Sequence, residues 1–472
     1  MAEIFLHGVE VLDIDAGPRP IQTVRSSVIG IVGTAPDADA TAFPLNTPVL
    51  IAGSRREAAK LDMVGTGEGS LPAALDSIMD QSGAVVIVVR VEDGETDAET
   101  LANILGGVNA TTGNYEGVHA FLGAESILGF LPRILIAPGF THQRVTGGLT
   151  ITTVGTPGTG YTSAPAVSFT GGGGSGAEAV ATVSGGVVTG ITITKPGSGY
   201  TSAPTVELTG GGGTLAAATV AFGTVGNAVV SELVGIAERL RAVIIADGPS
   251  TTDAAAIAYG GDFGSKRVYV VDPGVIKVNT AGANVVERAS ACVAGMIAKS
   301  DNERGFWWSP SNQNINGIIG TERPIDFQLG DANARANLLN ESKIATIIRQ
   351  DGFRLWGNRT LSSDPKWAFL CVVRTADIIN DSLLRAHLWA VDRGITKTYV
   401  EDVREGVRDY LRHLTFIGAI LGGDCWVDPE LNSADQIAQG KVYWDFDFTP
   451  VYPAEHLTFR SHLVNDYIKE IF

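Results

Sequence analysis

The chain has 472 residues, with 51 acidic against 34 basic side chains and a formal charge of −17. That length holds about two to four domains with cores of their own, and the acidic balance argues against nucleic acid and anionic membrane as partners. Cys292, Cys371 and Cys425 are widely scattered, which excludes a disulfide framework or a zinc site and suits synthesis in a reducing cytosol.

The opening MAEIFLHGVEVLDID carries acids where an export signal needs a basic head and a long apolar run, so no such signal is expected. From Ser27 to about Pro138, short apolar runs alternate with helical stretches. SVIGIVG (27–33) and AVVIVVRV (84–91) are apolar on both faces and predict buried strands; the second is far too short to span a membrane. Between them, Ser54 and Glu57 form a capping box that opens a helix, and Ser70 is expected to cap another. PRILIAPG (132–139) predicts a further strand. After residue 226 the pattern resumes: NAVVSELVGIAERLRA is helical, AVIIAD a strand, TTDAAAIAYGGD helical and KRVYVVDP a strand. Strands alternating with helices predict a parallel-sheet α/β middle domain over 28–145 plus 227–330.

The interruption, 146–226, is compositionally foreign. Its only charged residues are Glu178, Lys195 and Glu207. PGTGYTSAP, from Pro157, returns as PGSGYTSAP from Pro196, and VSFTGGGGSGAEAVATV is answered by VELTGGGGTLAAATVAF. Alternating β-branched residues broken by Gly-rich turns predict an inserted all-β module made of one unit used twice. Its place is a surface loop, where added chain costs little closure entropy. The runs Gly171–Gly174 and Gly210–Gly213 lack the Lys-Ser/Thr that ends a phosphate loop and read as turns. Tyr161 and Tyr200 are candidate sugar-stacking residues.

An α+β domain is expected over 331–454. Asp331 is placed to cap a helix over ANARANLLNESKIATIIRQ, followed by an extended stretch with a turn in DGFRLWGNRTL. In DSLLRAHLWAVDR, Leu383, Leu384, His387, Leu388 and Val391 share one helical face. Thr396 starts another helix with Val400, Val403, Val407, Leu411 and Leu414 as its apolar stripe. Beside that stripe run Arg404, Arg408 and Arg412, each three residues after an acid (Glu401, Glu405, Asp409). Such arginines serve either intrahelical pairs or an acidic partner. KVYWDFDFT alternates, with Val442, Trp444, Phe446 and Phe448 facing one way. The ends, 1–27 and 455–472, are extended arms outside either domain, and a lone strand needs a sheet to join. Phe5, Val9 and Val11 are the expected anchors of the first arm, and Leu457, Phe459 and Leu463 those of the second.

No motif for chemistry is legible. H-E-x-x-H, C-x-x-C and G-x-S-x-G are missing, and IGIVGTAP (29–36) lacks dinucleotide-loop spacing, with Pro36 cutting short any following helix. Asp445 and Asp447 read as solvated strand carboxylates, and Trp307 with Trp308 as an aromatic plug at a domain junction. No catalytic, cofactor or metal site is expected.

Four phrases nevertheless stand out: GVEVLDIDAGPRPIQTVRSSVIGIVGTAPDADATAFPLNTPVLI, GFWWSPSNQNINGIIG, DGFRLWGNRTLSSDP and KVYWDFDFTPVYPAEHLTFR. In that order they resemble contractile phage tail sheath proteins, over nearly the whole chain apart from 145–226. Sheaths of phage-derived R-type bacteriocins look similar, so a particle without a genome is the alternative. The resemblance implies a structural subunit that polymerises into stacked hexameric rings around a tail tube protein and contracts to drive the tube through a host envelope. It implies baseplate and tail terminator proteins as further partners, no cofactor, no membrane insertion, and assembly in the host cytoplasm into a virion tail. It places the C-terminal domain against the tube, with Arg404, Arg408 and Arg412 as candidate tube-facing residues. The arms would join neighbouring subunits, and the insert would decorate the exterior, with glycan binding as a further expectation.

Overall fold

The computed structural model describes residues 20–279, 282–465 and 467. Its largest element is a nine-stranded sheet. The central strands, Ile344–Arg349, Val268–Val271, Val243–Asp247, Ile134–Ile136, Ile29–Thr34 and Val85–Val91, lie in that order and run parallel. Antiparallel strands flank them: Pro48–Ala52 on one side, Phe353–Trp356 and Gln313–Asn314 on the other. Successive side chains enter opposite cores. Ile134, Ile136 and Ile245 pack with Leu75, Ile78 and Val293, while Leu135, Ile244 and Val270 pack with Val230, Leu233 and Ile236. A parallel sheet covered on both faces needs such uninterrupted apolar strands.

Three local expectations are corrected. Ser70 does not cap the helix Leu71–Met79; its Oγ accepts the Thr34 N–H at 3.1 Å and holds the end of the Ile29–Thr34 strand. The helix expected from 332 to 350 stops early. Only Arg335–Glu341 is helical, Asp331 serves the Asn333 N–H instead, and Lys343, at a φ of 65°, turns the chain into the strand Ile344–Arg349. That strand and Phe353–Trp356 belong to the large sheet, so the α/β domain runs past the expected boundary at 331 to about Trp356. The β-branched run Ile344–Ile348 is buried on both faces, and sheet burial overrides the helical reading.

The insert forms six strands between Val145 and Val225. Its two copies are related by a pseudo-twofold axis: Ser168 pairs with Glu207, its own counterpart in the repeat, and each copy's opening strand pairs with the other copy's closing strand. Tyr161 and Tyr200 are buried, at 6% and 4% exposure, so neither is available as a stacking platform. They centre the module's two small cores. The four-glycine runs explain themselves here. A Cβ on Gly213 would lie 2.4 Å from the Tyr161 ring and one on Gly174 2.5 Å from Tyr200, so each copy's glycines lie flat on the other copy's tyrosine.

The module's ends are neighbours, since Val145 pairs with Val225. Below them, Arg144 clasps Asp262 through two bonds of 2.7 and 2.6 Å, and Asn227 Nδ2 donates to the carbonyls of Phe140 and Gln143. The host loop is therefore closed with or without its guest. We predict that joining residue 145 to 227 leaves the melting temperature of the rest of the chain unchanged by calorimetry. A fall beyond about 2 °C, roughly 1 kcal/mol in a domain of this size, would show that the host relies on the module.

Candidate assembly interface

Beyond Trp356 the chain builds a second, smaller core. The helix Leu370–Ala386 supplies Ile378 and Ile379, and the helix Lys397–Phe416 supplies Val407, Tyr410, Leu411 and Leu414. Thr396 caps the latter by accepting the Tyr399 N–H at 3.2 Å. Phe306 and Trp307 close the junction, whereas Trp308 is half exposed.

On this core lies an antiparallel pair, Ile420–Trp426 with Asp445–Pro450, in register from Ile420 opposite Pro450 to Trp426 opposite Asp445. Ile420, Cys425, Trp444, Phe446 and Phe448 turn inward. Among the described residues, neither strand pairs with a third. No further strand covers either outer edge, although the Asp424 and Cys425 N–H groups bond the carboxylates of Asp447 and Asp424, and the face away from the helix exposes Leu421 and Trp426. A two-stranded sheet is marginal alone and an open edge recruits further strands.

The chain then leaves this sheet. Tyr452 meets Phe369 edge-on, and Arg359 grips Glu455 with a bond of 2.7 Å. From there to residue 464 no helix or strand forms, and Leu457, Phe459 and Leu463 are exposed at 70%, 93% and 102%. Three large apolar side chains thus stand in water on one segment. Phe5, Val9 and Val11 lie outside the described residues.

Arg404, Arg408 and Arg412 form a charge network. Arg408 makes a two-bond clasp on Asp424 at 2.7 and 3.2 Å and also reaches Glu405 at 3.2 Å. Arg404 bonds Glu405, and Arg412 bonds Asp409. Glu401 pairs with Lys397 instead of Arg404. The Cys425 N–H, then the Arg408 guanidinium, hold the Asp424 carboxyl below its usual range, and the bond to Asp424 raises Arg408. Arg412 is the most exposed of the three.

Among the described residues, no three His, Cys, Asp or Glu converge as a metal site. Burial pushes the Cys292 thiol up to about 12 and those of Cys371 and Cys425 to about 11, so none is a thiolate at neutral pH. Two clefts, of 520 and 560 Å³, hold no hydroxyl or thiol bonded to a histidine. No helix among the described residues is long and apolar enough to cross a membrane.

Sequence reasoning missed part of the exposed apolar surface. Leu384, Leu388 and Val391, expected to share one helical face, are mostly in solvent, and Phe416 is 89% exposed at the end of its helix. Periodicity marks an apolar stripe without saying whether the same chain covers it.

Comparison with known proteins agrees with this geometry. Residues 362–463 match the family model for the phage tail sheath C-terminal domain, 215–361 that for the tail sheath central domain, and 26–91 that for the domain III N-terminal region of the tail sheath protein Gp18. The C-terminal model starts just beyond the end of the large sheet, not at 331. A prophage major tail sheath protein of Pseudomonas aeruginosa strain UCBPP-PA14 is 40% identical, over 99% of this chain and 98% of that protein. The tail sheath protein of Escherichia phage P2 is 33% identical over 98% and 97%. Among solved structures, the contracted helical sheath of the anti-feeding prophage superposes with a TM-score of 0.61 at 17% identity, covering 97% of this chain and 99% of that one.

The exposure of the C-terminal segment yields a test. Phe459→Asp with Leu463→Asp removes no intrachain packing, so melting should stay within about 0.5 kcal/mol of wild type. Self-association, followed by sedimentation velocity, should be lost. Unimpaired association would remove these side chains from the interface.

Proposed function

The chain belongs to the phage tail sheath family, and on that premise we propose that its open sheet and its arms are the polymerisation device. The chain is a structural subunit of a contractile tail sheath, which polymerises around a rigid tube and drives it through a host cell envelope on contraction. The observation that carries our account of assembly is the pair Ile420–Trp426 and Asp445–Pro450, which has two free edges beside a segment exposing Leu457, Phe459 and Leu463. An arm added to a neighbour's sheet contributes main-chain hydrogen bonds, with pockets for alternate side chains. Phe5, Val9 and Val11 take the same role at the other end.

Head-to-tail contacts through different patches grow hexameric rings into a stacked helix. The C-terminal domain faces the tail tube protein, and Arg412, with Arg404 and Arg408 behind it, meets acidic groups there. The insert points outward as a shield, since its tyrosines are spent on its own core. Contraction is a rigid-body exchange between two lattice packings, with the arms staying paired. The energy is stored by assembly on the tube and no catalysis is involved. Baseplate and terminator proteins bound the polymer, which forms in the host cytoplasm and resides in the virion tail.

The reading is tested by negative-stain electron microscopy of the chain expressed alone and of a version lacking residues 1–20, each with and without the tube protein. Striated hollow tubes from the full chain, lost on truncation, are expected. Discrete particles from the full chain even with the tube present would refute it.

A further inference from the structure

The helix Leu370–Ala386 belongs to both domains. Leu370 and Val373 sit in the core of the large sheet, and Ile378 and Ile379 in the smaller C-terminal core. Along a third face, Arg374, Asp377 and Asp381 recur at helical spacing, all buried. Opposite them lies a row of arginines at the N-terminal rim of the sheet. Arg133 directly precedes the strand Ile134–Ile136, Arg241 lies just before Val243–Asp247, and Arg267 directly precedes Val268–Val271; these three strands are adjacent.

The pairing is specific. Arg133 donates to the Asp381 carboxylate and, at 2.6 Å, to the Leu240 carbonyl; Arg241 stands 3.5 Å from the other Asp381 oxygen. Arg267 donates to the Asp377 carboxylate and, at 3.1 Å, to Glu238. Arg374 clasps Asp301, on the helix Ala289–Arg304, and bonds the Ser26 carbonyl at 3.1 Å. Yet the Nε atoms of Arg133 and Arg267 are buried without a partner among the described residues. Buried pairs left incompletely bonded are a poor means of adding stability, because apolar residues of similar volume do as well or better. What they supply is geometry: a guanidinium forced onto one carboxylate admits one helix position, whereas greasy contacts admit several.

We propose that this buried charge seam sets the angle between the α/β domain and the C-terminal domain, with Arg133, Arg267, Asp377 and Asp381 as positioning residues. The two domains then travel as a single body when the lattice rearranges, and displacement at the inner domain reaches the outer one undiminished. The lattice part of this inference rests on the assembly reading above; the interdomain angle does not.

The test uses the full chain, kept unassembled by Phe459→Asp and Leu463→Asp, with spin labels at Val64→Cys and Phe416→Cys. Both sites are exposed and the three native cysteines are buried. The variant Arg133→Met, Arg267→Met, Asp377→Leu, Asp381→Leu removes the seam at similar volume. Its melting temperature should hold while its interdomain distance distribution, measured by pulsed electron resonance, broadens or shifts beyond the wild-type envelope. Asp377→Glu alone, which keeps both the charge and its Arg267 partner, should retain the wild-type distribution. If the four-residue variant does not fold, Asp377→Asn and Asp381→Asn singly supply the same readout. A folded, seam-free chain with the wild-type distribution overturns the proposal. So does a loosened chain that, with its arm residues restored, still forms tubes of wild-type diameter and pitch. Failure of the wild-type chain to form tubes at all would sink the assembly reading instead, and the distance measurement would still decide the seam.

Discussion

An antiparallel pair of strands cannot satisfy its own outer backbone groups, and the architecture of this protein follows from leaving one such pair incomplete. The strands Ile420–Trp426 and Asp445–Pro450 have one face closed by the helix Lys397–Phe416 and two edges open. In a monomer that exposure is an aggregation hazard. In the polymer we propose it is the point of addition, filled by the exposed C-terminal segment of a neighbouring copy. Because the segment's departure is fixed by Tyr452 on Phe369 and Glu455 on Arg359, its apolar residues are held away from their own domain. Main-chain hydrogen bonding is therefore the chemistry on which the proposed assembly turns.

Everything outside that pair keeps it in place or leaves it undisturbed. The large parallel sheet is a stiff platform with a core on each face. One helix, Leu370–Ala386, is shared between that platform and the smaller domain, so the two cores are continuous through it. The insert closes on itself through its pseudo-twofold pairing and returns the chain to the place where it left. A guest with adjacent ends asks nothing of its host, which is why so foreign a composition can interrupt a parallel sheet.

Strands such as Val85–Val91 and Ile134–Ile136 were legible because burial on both faces leaves a near-continuous apolar run, interrupted in the first only by Arg90. So was the helix Lys397–Phe416, whose stripe from Val400 to Leu414 repeats over about four turns. Ile344–Arg349 was misread because a helix and a strand meet within a few residues, and only sheet neighbours decide between them. Ser70 has a capping residue's chemistry but a tertiary partner in Thr34. The tyrosines of the repeat were placed on the surface because nothing local shows that a distant glycine run covers each ring. The arginine rim had a usable signal, an arginine just ahead of three separate apolar strands. Its partners, in contrast, lie more than a hundred residues away. The C-terminal segment was visible as an orphan in the sequence, whereas the proposed point of attachment lies on a neighbour that one sequence does not contain.

Amide hydrogen exchange across 420–426 and 445–450 tests the central claim most directly. It compares assembled wild-type protein with the unassembled Phe459→Asp, Leu463→Asp chain. If neighbouring arms complete the sheet, the outward-facing amides of at least one strand exchange freely in the unassembled chain and become strongly protected in the polymer. Equal exchange in both states would mean that the edges stay open in the lattice and that subunits are joined through other surfaces.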